Sequence, residues 1–206
     1  MQKKEGIFIV FEGPNGSGKS NLAQLTKEWL SSNFGREVIL ITEPSKTTIG
    51  KLVRHYSEMP QHAYTLACLV CADRYQNIVE SIVPNLKQNK IVISDRYFAS
   101  SLVYQIMHGV TYEFVLNINS QILTPDLTII VEASEQELRR RIQNRGTKQL
   151  FEHPDNVSTE VQLYKESLSY LKDSGHVTCC IDNSGAIEVA FQEVKDSISR
   201  ILHDKL

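Results

Sequence analysis

No stretch of this 206-residue chain keeps about 18 apolar residues in a row, the length a helix needs to cross a bilayer, so no membrane partner is expected. Excess charge is lacking too: 22 basic residues against 24 acidic ones leave a net charge of −2. A protein built to hold a nucleic-acid backbone carries a basic surplus, so no nucleic-acid polymer is expected as a partner. Cysteine is sparse, and its four copies do not form a framework. Cys68 and Cys71 stand in an apolar helical stretch, where thiols behave as small hydrophobes. Cys179 and Cys180 are neighbours on a strand-like run, which turns them to opposite faces and away from a shared metal. Internal repeats, low-complexity segments and linkers are missing. The opening residues run straight into a strand without the basic-then-apolar pattern of an export signal, so a cytoplasmic protein is expected. An N-K-x-D guanine-reading run is also missing, which disfavours a GTPase.

What is present is ordinary in bulk: 41% hydrophobic and 22% charged residues, as in a globular protein. A chain of this length fits one domain and buries roughly 70% of its unfolded surface. The informative part is local. Residues 13–20 read Gly13-Pro14-Asn15-Gly16-Ser17-Gly18-Lys19-Ser20, a complete G-x-x-x-x-G-K-S. That spacing lets backbone N–H groups surround phosphates, lets Lys19 reach the terminal ones, and sets the Ser20 hydroxyl against Mg²⁺. The run 7–11 before it is apolar and β-rich. Leu22, Leu25, Trp29 and Leu30 after it have helical spacing. The loop therefore joins a strand to a helix N-terminus, where the helix dipole favours anions.

Strand and helix patterns alternate along the rest of the chain. Further strands are predicted at 37–42, 90–94, 126–132 and 177–181. Helices are predicted near 47–58, 61–88, 98–107, 111–122, 134–145, 156–173 and 184–204, with Pro84 kinking the end of the 61–88 helix. Apolar strands separated by helices imply an α/β fold: a five-stranded parallel sheet, three-layered, with helices on both faces. In such a sheet the ligand lies beyond the C-terminal strand ends. That rule gathers the phosphate loop, Thr42-Glu43-Pro44 and Asp95-Arg96-Tyr97 at one crevice.

Asp95 is placed to hold Mg²⁺ with Ser20, or else to cap a helix or pair with Arg96. Arg96 has the planar fork that suits a phosphate. Arg74, four residues after Val70 on one helix face, reads in isolation as a surface ion-pair member. Glu43 either orders the crevice or caps the helix that begins near Thr47. Residues 139–148 carry five cations and no acid. With an irregular segment following, they suggest an Arg-bearing flap that closes over phosphates, against the plainer reading of a solvated helix end.

These blocks together resemble the thymidylate kinase family of P-loop nucleoside-monophosphate kinases. The resemblance is carried by Phe11 to Ser20, by Glu43-Pro44, by Ala72-Asp73-Arg74, and by Ser94-Asp95-Arg96-Tyr97-Phe98-Ala99-Ser100-Ser101-Leu102-Val103-Tyr104-Gln105. It spans nearly the whole chain. It implies a single P-loop kinase domain over 1–206 with a short lid about 141–156, working as a homodimer on nucleotide substrates. It also implies ATP and Mg²⁺ as cofactors, with the γ-phosphoryl group of ATP passed to dTMP. By position, Arg74 and Arg96 resemble the arginines that bind the acceptor phosphate. Ser101 and Gln105 resemble the residues that read the base, Tyr104 the one beside the sugar, and Asp95 the carboxylate near Mg²⁺. The family commonly has an acid where Asn15 stands, a Phe stacked on thymine where Val70 stands, and an Arg where Thr42 stands. Gly16 in place of a loop Arg resembles the class whose catalytic Arg lies in the lid, so Arg145 or Arg141 inherits that role. Two alternatives stay open: the same fold acting on another nucleotide, a nucleoside or a small metabolite, and a non-catalytic nucleotide-binding switch. Lys19, Ser20, Asp95, Arg74 and Arg96 together weigh against the second.

Overall fold

The computed structural model of the chain describes residues 6–145 and 154–203. Five parallel strands form one sheet in the order β2-β3-β1-β4-β5: β1 (Ile7–Glu12), β2 (Val38–Thr42), β3 (Ile91–Asp95), β4 (Leu127–Glu132) and β5 (Thr178–Asp182). Alternation along β1 builds two cores. Ile7, Ile9 and Phe11 face α1 (Lys19–Asn33) and α9 (Ile187–Ile201), packing with Leu22, Leu30, Val194 and Ile198. Phe8 and Val10 face the opposite layer, with Leu102 and Val103 of α5 (Phe98–Met107) and Tyr164 and Leu171 of α8 (Val157–Asp173). Both faces of the sheet are thus covered, and every residue of β1 is buried.

Register decides where the chemistry lies. Phe11 and Thr42 both pair with Asp95, so β1, β2 and β3 end level at one edge. The remaining helices are α2 (Thr48–Tyr56), α3 (Ala63–Asn77), α4 (Val83–Lys87), α6 (Tyr112–Ile118) and α7 (Glu135–Gln143).

The expected five-stranded parallel sheet and helical layers are present. Three helices differ from their expected extents. The 61–88 helix is broken into a 3₁₀ turn (Pro60–His62), α3, a π turn (Ile78–Ile82) and α4. Pro84 has no N–H to continue the α ladder, and Val83 N–H bonds instead to Ile78 five residues back, which widens the turn. The 111–122 helix stops at Ile118, because Asn119 folds its amide back onto the Val115 carbonyl. The 184–204 helix starts only at Ile187, as Asp182 takes the N–H and hydroxyl of Ser184 and holds that stretch as a loop. Of the expected lid, 141–156, residues 146–153 lie outside the described residues. Among the described residues no helix is long and apolar enough to cross a membrane.

Candidate active site

The chain leaves β1 at Glu12 and enters α1 at Lys19 through the phosphate loop. Two glycines make the turn. Gly13, at φ +141°, passes so close to β4 that a Cβ would lie 2.1 Å from the Val131 carbonyl oxygen. Gly18, at φ +87°, precedes α1, and a Cβ there would strike the Asn183 amide at 2.3 Å. That amide donates to the Ser17 carbonyl at 2.7 Å and fastens the loop to the end of β5. Among the described residues no side chain caps α1 and no acid lies in its first turn, so its leading N–H groups and the positive end of its dipole stay available to an anion. Lys19 is buried, and burial, then the nearby Arg96 charge, bring its ammonium down from 10.5 to about 7. A buried ammonium of this kind is one that an anion would stabilise.

Beyond the loop opens a cleft of about 320 Å³. Lys19 and Ser20 stand at one end, and Val70, Ser101, Tyr104 and Gln105 line it further on, with Arg96, Arg74 and Glu43 in the wall. The expected residues of β1, β2, α3, β3 and α5 are therefore brought to one space. The Ser20 hydroxyl donates to Asp95 Oδ2 at 2.5 Å, and Asp95 Oδ1 is buried with no hydrogen-bond partner among the described residues. These are hard oxygen donors, one of them unused, and they fit Mg²⁺. The helix-capping use of Asp95 is taken by another group, and Asp95 acts on Arg96 through space only. The N-terminal N–H groups of α5, at Tyr97 and Ser100, go to the Glu12 carboxylate at 2.8 and 3.0 Å.

Arg96 has φ +76°, unusual for a residue with a side chain. Its N–H on the Phe11 carbonyl and its carbonyl under the Ser94 hydroxyl hold that backbone. Among the described residues its guanidinium donates only to neutral acceptors: Asn15 Oδ1 at 2.8 Å, the Tyr164 hydroxyl at 3.0 Å, the Ser100 hydroxyl at 3.1 Å and, at the distance limit, the Gly13 carbonyl at 3.5 Å. The Tyr104 ring packs under it, 5.0 Å from its central carbon. Asp95 and Glu12 act on its charge through space, without a hydrogen bond to it among the described residues.

Arg74 contrasts with it. It is 1% exposed, and all five N–H donors are engaged: two on Glu43 Oε2 (2.7 and 2.9 Å), and one each on Ser101, the Asn119 amide oxygen and the Tyr97 carbonyl. Burial pushes the Glu43 carboxyl up, to about 7, against the pull of Arg74. Among the described residues Glu43 Oε1 and Gln105 Oε1 are buried without partners, two acceptors open to a donor on a ligand. Glu43 does not cap the next helix: Thr47 does so itself, accepting from Gly50 N–H. Arg54 and Asp73 fix the Pro44–Thr47 loop, the first through the Pro44, Ser45 and Gly50 carbonyls, the second through Ser45 and Thr47.

Arg141 lies on the outer side of the phosphate loop. It donates weakly to the Gly16 and Ser17 carbonyls and firmly to Asn183 O (2.7 Å) and Glu137 (2.6 Å). Arg145 is the last residue described before the 146–153 segment.

Several participants have no local signal in the sequence. Glu12, Asn119, Glu160, Tyr164 and Asn183 reach the site only through tertiary packing. The sole hint was the position of Glu12 at the end of β1, on the face opposite Phe11.

Comparison with known proteins agrees with this geometry. The family model described as thymidylate kinase matches residues 11–194. A "Probable thymidylate kinase" of Pyrococcus horikoshii is 39% identical over 156 residues, 71% of this chain and 75% of that protein. A "Thymidylate kinase" of an Exiguobacterium species is 32% identical over 200 residues, 93% of each chain. The crystal structure of thymidylate kinase from Ehrlichia chaffeensis is similar with a TM-score of 0.71 at 25% identity, covering 94% of this chain and 98% of that one.

Proposed function

The chain belongs to the thymidylate kinase family, and from that membership we propose that it transfers the γ-phosphoryl group of ATP to the phosphate of dTMP, giving dTDP. The observation that carries the reading is a single cleft lined at once by Lys19 and Ser20 of the phosphate loop and by Arg96. Phosphoryl transfer asks a protein chiefly to bring two anions together and to offset the charge that develops between them.

In this reading Gly13 to Ser20 and the start of α1 bind the ATP phosphates. Lys19 neutralises the terminal ones. Arg96, whose guanidinium hydrogen-bonds only neutral acceptors among the described residues, takes the acceptor phosphate. Arg74 lends the wall its charge and, through its bonds to Glu43 and Ser101, orders the groups beside the base. Ser101 and Gln105 read the base, Tyr104 packs beside the sugar, and Val70 covers the base from α3. Ser20 and Asp95 would hold Mg²⁺, which when bound would offset phosphate charge. Arg145 or Arg141 serves from a lid over 141–156 of a single domain. The protein acts in the cytoplasm as a homodimer.

Release of ADP from ATP, coupled to a spectroscopic readout, tests the assignment over a panel of deoxynucleoside and nucleoside monophosphates. Turnover is expected with dTMP as the preferred acceptor. ATP consumption with every acceptor except dTMP overturns it.

A further inference from the structure

The side-chain amide of Asn15 is held at both ends. Its Oδ1 accepts from Arg96 Nη2 at 2.8 Å, and its Nδ2 donates to Glu160 Oε1 at 3.0 Å. The Asn15 backbone N–H donates to the other Glu160 oxygen at 2.8 Å. Glu160 reaches the loop from the first turn of α8, and both residues are buried, Asn15 at 1% and Glu160 at 2% exposure. An amide has a donor end and an acceptor end, while a carboxylate only accepts. With Glu160 on one flank, the Nδ2 end must turn to it, and the Oδ1 end must turn to Arg96. The acceptor end that faces Arg96 then fixes the direction of its guanidinium.

We propose that Glu160 is a positioning residue for the acceptor phosphate: by fixing the polarity of the Asn15 amide it sets the direction of the Arg96 guanidinium. The inference rests on the reading of the chain as a dTMP kinase and adds a residue on α8 to its acceptor site. It also explains how this loop works with Asn at position 15. An acid there would put a second carboxylate about 3 Å from Glu160, at the distance now spanned by the Asn15 amide bond.

Glu160→Gln tests it. Glutamine offers one carbonyl in place of two oxygens. If that carbonyl keeps the Asn15 backbone N–H, its own NH₂ meets Asn15 Nδ2, so Asn15 turns over and presents a donor to Arg96. The KM for dTMP is expected to rise about tenfold or more, with the KM for ATP held within about twofold. The double variant Glu160→Gln/Asn15→Asp restores donor facing acceptor along the whole chain of bonds. It is expected to bring the dTMP KM back to within about threefold of wild type. Should Glu160→Gln not fold, Asn15→Ser keeps the backbone by which residue 15 belongs to the phosphate loop and removes the amide bridge, so it must raise the dTMP KM by more than the ATP KM. Calorimetric titration with dTMP alone should follow the same order of affinities. A wild-type chain that neither binds nor phosphorylates dTMP overturns the functional reading and takes this inference with it. A wild-type chain that does both, beside a single variant that leaves the dTMP KM unmoved or shifts both KM values equally, overturns the inference alone. So does a double variant that recovers nothing.

Discussion

At the scale of single residues, Lys19 is where the ligand-free molecule carries an electrostatic cost. Its ammonium titrates at 10.5 in an unfolded chain and at about 7 in the folded one, because burial, and then Arg96, disfavour the charge. The unfolded state therefore holds its proton over a pH range where the folded state has released it. Linkage gives the sign: the penalty is complete below pH 7, and stability recovers as pH rises from 7 toward 10.5. Lys19→Met removes the penalty. In the absence of nucleotide the variant is expected to be more stable than wild type at pH 7 by roughly 2–5 kcal/mol, since each tenfold loss of proton affinity on folding is worth about 1.4 kcal/mol. Parallel urea titrations should show that gap narrowing as pH approaches 10, while turnover of the variant falls at least ~10³-fold for want of the phosphate-binding cation. A gap that widens with pH would contradict the buried, charge-frustrated state of Lys19. Val70 is the other residue that departs from expectation. It lines the cleft one helical turn before Arg74, where it offers a small aliphatic face. Val70→Phe should add about 0.5–1.5 kcal/mol of aromatic contact with the base, lowering the dTMP KM by roughly threefold to tenfold. An unmoved KM in a folded variant would mean that the base lies away from this helix face.

At the scale of elements, the acceptor wall is held by one buried ion pair. Arg74 of α3 ties the end of β2 through Glu43, the start of α5 through Ser101 and Tyr97, and the end of α6 through Asn119. Removing one member of such a pair leaves an uncompensated buried charge, whereas removing both leaves no buried charge. Glu43→Gln is expected to lower unfolding stability by roughly 3–5 kcal/mol, with Glu43→Gln/Arg74→Met recovering much of it, both read from denaturant midpoints. This pair also marks what the sequence could disclose. The strands, the phosphate loop and the Asp95-Arg96 turn were legible because each is written in consecutive residues: an apolar run, a glycine spacing, a charged pair after a strand. Arg74 read in isolation as a surface ion-pair member and became a site residue only through the resemblance; the surface reading is wrong, since Arg74 is buried and its partners come from positions 43, 97, 101 and 119. Glu12 and Glu160 went unread for the same reason. The first meets Ser100 across 88 residues, and the second meets Asn15 across 145. No local spacing encodes a carboxylate whose meaning is the backbone it will cap. The break of the 61–88 segment was half legible: Pro84 announced a disturbance, but the π turn that absorbs it lies before the proline, where nothing in the local pattern marks it.

At the scale of the whole molecule, the strand order explains why donor and acceptor meet where they do. β1 is central, with β3 on one side and β4 on the other. The loop that leaves β1 therefore stands at the point where the connections change direction, between the two halves of the sheet. Toward β3 and β2 lies the acceptor cleft, with Arg96 and Glu43. Toward β4 and β5 the loop is braced by Val131, Asn183 and Arg141. In the proposed reading ATP and dTMP each stabilise the folded chain by mass action, by about 2.7 kcal/mol at a hundred times its Kd. For a chain of this size that corresponds to a rise in Tm of roughly 5–10 °C per ligand. Because the cations that receive them differ, the two shifts should separate by mutation. Lys19→Met is expected to lose most of the shift given by Mg²⁺·ATP and keep the one given by dTMP, and Arg96→Met to do the reverse. Thermal unfolding of the three proteins with each ligand decides the matter. If either substitution abolishes both shifts while the fold persists, ATP and dTMP share their cations, and the division of labour across β1 is wrong.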